Sequence, residues 1–135
     1  MLQAYYGIED EKLWQLATGL GAGLSRQRYV CGAVTGATLA LGLANAVRRG
    51  SNREDVRGLR DETYAKVQEL TRRFEVKFGS SSCGELTGCD FRTREGQSDF
   101  KAKGLMDSLC RPAVRFAVES VIDLESRDHG NLTPA

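Results

Sequence analysis

Residues 51–79, SNREDVRGLRDETYAKVQELTRRFEVKFG, decide the fold class. Val56, Leu59, Thr63, Val67, Leu70 and Phe74 follow one another at spacings of three and four. That period places them on one stripe of a helix. Ser51 and Glu54 read as a capping box at its start, and Gly79 ends the run. Charges of both signs fill the remaining faces and read as solvated. No segment of the chain sustains the period-2 alternation of a half-buried strand, and only two prolines interrupt it. The expectation is an all-α protein, a compact bundle of about five to six helices.

Working outward, a short helix is expected over Met1–Tyr6, stopped by Gly7. A second starts near Asp10 and turns Leu13, Trp14, Leu16, Ala17 and Leu20 inward. It ends at Gly19-Leu20-Gly21-Ala22-Gly23, which is too rich in glycine to continue a helix. A third runs from Val30 to Arg49, closed by Gly50. Its Gly32 and Gly36 share one face, widened by Ala33, Ala37, Ala40 and Ala44, where another backbone can approach closely. A short turn opens at Cys83. A fifth helix lies between Thr93 and Gly104, and a sixth between Pro112 and Arg127, with Val114, Ala117, Val118, Val121 and Ile122 as its apolar stripe. Residues 1–127 form one domain, and Asp128–Ala135 reads as a disordered tail. A chain of 135 residues buries a core without needing staples.

Several functions are excluded or disfavoured. The 19 basic and 18 acidic residues leave a net charge of +1, so there is no electrostatic footprint for nucleic acid. Val30–Val47 carries no charge over 18 positions, the lower limit of a spanning helix. It is built mainly of Gly, Ala and Thr, however, and reads as a buried helix. The N-terminus has neither the basic nor the apolar region of a secretory signal, so a cytoplasmic location is expected. The glycine cluster lacks the strand and spacing of a dinucleotide fingerprint, and no Walker motif occurs. It reads as a tight connector that brings the Cys31 helix close to its neighbours. His129 is the sole histidine and stands in the polar tail, which argues against histidine-based catalysis. No haem-attachment motif is present.

The chemistry is left to four cysteines. Cys31, Cys83 and Cys110 each fall where a helix is expected to begin, and Pro112 marks the last of these starts. Helix starts present unpaired N–H groups and partial positive charge, which favour a thiolate. Arg26, Arg28 and Arg111 stand close by in sequence and add to that effect if they point inward. None of the spacings, Cys89 included, is that of a zinc knuckle. On spacing alone, buried structural cysteines are the better reading.

The segments around these cysteines resemble a known family. Gly19 to Gly23, Val30-Cys31-Gly32-Ala33-Val34-Thr35-Gly36-Ala37 and Leu41-Gly42-Leu43 look like the signature helix of the C_GCAxxG_C_C redox-active proteins. Phe78-Gly79-Ser80-Ser81-Ser82-Cys83-Gly84-Glu85-Leu86-Thr87-Gly88 is similar to that family's third cysteine segment, and Leu109-Cys110-Arg111-Pro112 to its fourth. The likeness runs from about Leu2 to Leu124. It departs at Val30, where the family pattern has glycine. It departs again before Met1, where the family's first cysteine belongs. Either the chain begins late or this member lacks that residue, and Cys89 is a candidate substitute.

The resemblance implies a redox-active protein whose Cys31, Cys83 and Cys110 converge on one site. Those thiols would act by thiol–disulfide exchange, or with Cys89 would hold an iron–sulfur cluster or another thiolate-bound metal for electron transfer to a partner protein. An iron–sulfur cluster normally takes four cysteines, so three matched positions would bind one poorly. The alternative is a non-enzymatic helical interaction module, a homodimer through the small-residue face of the third helix, with structural buried cysteines.

Overall fold

The structure, a computed structural model, describes residues 7, 12–49 and 56–129. Within them α1 is Lys12–Leu16, α2 Gly32–Arg49, α3 Val56–Phe78, α4 Cys83–Thr87, α5 Arg94–Ala102 and α6 Arg111–His129. A 3-10 turn, Ala17–Leu20, continues α1, and a π-helical turn, Met106–Cys110, leads into α6. No strand occurs among the described residues. The extended backbone makes one isolated antiparallel bridge, Val30 with Ser82. The all-α expectation holds. The helix expected over Met1–Tyr6 and the Ser51–Glu54 capping box lie outside the described residues.

The long helices α2, α3 and α6 pack on one another around Leu41, Leu70, Phe74 and Val121, all fully buried. Small side chains let them approach. Ala33, Ala37 and Ala44 on α2, and Ala113 and Ala117 on α6, are buried one turn apart or at multiples of a turn. The alanine face of the third expected helix is thus occupied within the chain. Phe74, Phe78 and Phe116 close one end of the core, with ring centroids 4.7 to 6.2 Å apart. No helix among the described residues is long and apolar enough to cross a membrane.

Four details differ from the sequence reading. Leu16 is 75% exposed rather than inward-facing, because α1 stops there and tightens into the 3-10 turn. Val56, the first residue of the expected stripe, and Val114 on α6 are also exposed. The charged faces of α3 are not wholly solvated, since Lys66 is buried against the equally buried Glu125, with Nζ to Oε1 2.7 Å. Finally, α6 runs through Asp128 and His129, which the sequence assigned to the tail.

The glycine cluster is a connector, but an unusual one. Ala22, Gly23, Leu24, Ser25 and Arg26 all have positive φ, between 51° and 74°, and Arg28 follows at 67°. This is a left-handed turn, closed by Ser25 N–H donating to Gly21 O at 2.7 Å and Tyr29 N–H donating to Gly23 O at 3.2 Å. Each non-glycine residue in that region costs about 1–2 kcal/mol. Such strain persists only where surrounding contacts over-determine it.

Candidate functional site: three thiols on an apolar cavity

The Val30–Ser82 bridge sets the site. Cys31 N–H donates to Ser81 O at 2.8 Å, and Cys83 N–H donates to Tyr29 O at 2.7 Å. Side chains alternate across a ladder, so Cys31 and Cys83 occupy diagonal positions on one face. In regular sheets such diagonal Cα atoms lie about 7–8 Å apart, with Cβ atoms closer. That lies beyond the roughly 7 Å a disulfide spans, so joining Cys31 to Cys83 requires the backbone to shift. Ser82 caps α4, its Oγ accepting from Glu85 N–H at 3.4 Å. Gly88, at φ 64°, closes it.

Gly23 fits under this arrangement only because it is glycine. A Cβ there would lie 2.6 Å from Cys83 Cβ and 3.0 Å from Tyr29 N. Gly84 is similarly tight, since a Cβ would meet the Arg28 side chain at 2.9 Å. The strained turn therefore lays its backbone directly on the second thiol segment. Gly32, at the start of α2, faces Leu20 O in the same way, at 3.3 Å from a Cβ.

Cys31, Cys83 and Cys110 line one cavity of about 270 Å³. Ala33, Phe91, Phe100, Met106 and Val114 complete its side-chain walls. Phe91 and Phe100 meet edge to face at 5.0 Å. A larger open groove of about 540 Å³ lies between α3 and α6, walled by Lys77, Arg111, Arg115 and other residues, but it contains no cysteine. The three thiols are gathered on the smaller cavity. Cys83 is buried, while Cys31 and Cys110 are half-buried.

At Cys83 and Cys110 burial outweighs the helix-start effect. Burial, then the neighbouring Cys31 and Cys110, push the Cys83 thiol up to about 11, against a lowering pull from Arg28. Burial, then Cys31, push the Cys110 thiol up as well. The reason is visible in the backbone. The first two amides of α4 are already spent, Cys83 N–H on Tyr29 O and Gly84 N–H on Arg28 O. Cys110 is not at a free helix start, because the amide of Arg111 bonds back to Met106 O across the π turn.

Cys89 is set apart. It is buried, its thiol donates to Thr87 O at 3.3 Å, its N–H donates to Thr87 Oγ1 at 3.2 Å, and it does not line the cavity. All four cysteines are free thiols. Among the described residues no three His, Cys, Asp or Glu side chains are gathered closely enough to hold a metal ion.

The sequence reading missed Phe91, Phe100 and Met106 as cavity walls. The available signal was weak: Phe91 and Phe100 are isolated in a mainly polar run, and Met106 follows Leu105 at its end.

A helical bundle with three thiols on one apolar cavity defines a thiol-centred protein. The chain belongs to the family described as "Putative redox-active protein (C_GCAxxG_C_C)", which matches residues 1–124. No curated protein and no solved structure matches it.

Proposed function

We propose that this chain exchanges disulfides through Cys31, Cys83 and Cys110 acting as one site. The observation that carries the reading is their shared cavity, joined to the redox-active character of the family. Cys31 is the attacking thiol. It is half-buried, as Cys110 is, and it bears on both of the other two. Its thiolate attacks a disulfide RS–SR, forming a mixed disulfide and releasing RS⁻. Cys83 or Cys110 then loses its proton and attacks the Cys31 sulfur. A second RS⁻ leaves, and a protein disulfide remains. Two thiols are oxidised and one substrate disulfide is reduced to two thiols. A dithiol partner reverses the sequence.

The high affinity of Cys83 and Cys110 for their protons has a use here. A resolving thiol that stays protonated does not compete for the incoming disulfide. Its proton is held less tightly once a neighbouring mixed disulfide, which is uncharged, replaces the Cys31 thiolate, with burial, the larger cause, still in place.

The test is equilibration in dithiol–disulfide buffers from about −320 to −180 mV, followed by differential alkylation and mass spectrometry. Two thiols from the set Cys31, Cys83 and Cys110 should be lost together, with Cys89 still alkylated. Retention of all four thiols across that range refutes the proposal.

A further inference from the structure

We infer that the exchange site selects small, uncharged, apolar disulfides and rejects anionic ones; the inference rests on the exchange reading above. The cavity is the ground for it. Among the described residues no charged side chain lines it, and its walls beside the thiols are Phe91, Phe100, Met106, Val114 and Ala33. At about 270 Å³ it lies just below the usual range of small-ligand sites, enough for a compact aromatic or aliphatic arm of RS–SR. The paired rings and the Met106 thioether are soft, polarizable partners for such an arm.

A carboxylate entering this space loses water and meets no charged side chain on the cavity wall. Arg28 lowers the Cys83 thiol, but its buried, unpartnered Nε packs against Gly84 and the residue is not among those that line the cavity. Arg111, adjacent to Cys110, pairs with Asp107 on the outer surface. Burying an unpaired charge costs more than the 1.4 kcal/mol of a tenfold change, so discrimination of at least about tenfold is expected.

Two probe disulfides decide the matter: 4,4′-dithiodipyridine, uncharged at neutral pH, and 5,5′-dithiobis(2-nitrobenzoate), a dianion. Reaction of each with the full chain is followed by release of the chromophoric thiol, and each rate is divided by the rate on the same chain unfolded in urea. That ratio removes the intrinsic difference between the probes. The neutral probe's ratio should exceed the dianion's by at least about tenfold, with two equivalents of thiol released per chain. Val114→Lys places a cation at the half-exposed rim and should raise the dianion's ratio relative to the neutral probe's. Equal ratios for the two probes, with two equivalents still released, overturn the selectivity and leave exchange standing. Release of one equivalent only, with no protein disulfide, overturns exchange itself and the selectivity with it. A dianion ratio unmoved by Val114→Lys also counts against the inference, because the cavity mouth would then not be what excludes charge.

Discussion

Alkylation of Cys83 is expected to be slow and steeply pH-dependent. A thiol moved from 9.0 to about 11 has a thiolate population at pH 8 lowered by about a hundredfold. The thiolate is the nucleophile, so iodoacetamide should modify Cys83 about a hundredfold more slowly in the folded chain than in urea. At 7% exposure, restricted access slows it further. Access alone gives a constant penalty at all pH values, whereas the proton gives one that shrinks as pH rises toward 11. The logarithm of the rate should therefore climb with unit slope past the pH at which an ordinary thiol levels off. Cys31→Ser should bring the midpoint down only part of the way, because burial is the largest cause and Cys31 the second. Stability carries the matching sign. The folded state holds this proton more tightly than the unfolded one, so its contribution is complete below about pH 9 and is lost as pH rises toward 11. Isotope-coded alkylation with tandem mass spectrometry separates Cys83 from Cys89, which share the peptide 78–92. Modification of folded Cys83 at pH 8 as fast as in urea refutes the reasoning and restores the helix-start thiolate.

Three further outcomes are expected. Gly23→Ala should cost about 2–4 kcal/mol in urea denaturation, combining a left-handed backbone with overlap at Cys83; a loss under about 0.5 kcal/mol would show that the turn relaxes freely. Lys66→Met leaves Glu125 buried without its cation and should destabilise by about 3–5 kcal/mol, while Lys66→Met/Glu125→Leu recovers most of it. Thr93→Ala removes the acceptor of Gly96 N–H, 3.0 Å away at the start of α5, and should cost about 1 kcal/mol in the same assay.

The helices were legible because their signals are local. The apolar stripe of α3, the small residues of α2 and the Thr93 cap of α5 each declare themselves within a few turns. Much of the site was legible too, as three cysteine segments sharing a family pattern. What was hidden depends on contacts between distant segments. The amides that might have stabilised thiolates are consumed by residues 28 and 29, more than 50 positions from α4. Five glycine-cluster letters suggest a break in the helix, but not that non-glycine neighbours would join a left-handed turn. The Lys66–Glu125 pair looks like two ordinary surface charges until α3 and α6 are packed together.

That pair also explains how the bundle can carry strain at its other end. Asn45 lies fourteen residues beyond Cys31 on α2, about 21 Å along the helix. Its Oδ1 accepts from Lys66 Nζ at 3.1 Å and from Arg48 Nη2 at 2.8 Å, and its Nδ2 donates to Thr63 Oγ1 at 2.9 Å. A buried polar network with directional bonds tolerates only one register among the helices. A sliding of α6 against α3 by a single turn would separate Lys66 from Glu125 and leave both charges buried. The same sliding would carry Cys110 away from Cys31 and Cys83, since Cys110 directly precedes α6. The network therefore fixes the axial position of the third thiol, while the bridge fixes the first two. Between the network and the cavity lies the π turn, a helical irregularity that occurs often at functional sites. Cys110 sits at its last residue. The third thiol is thus held at its height by side chains about four turns away.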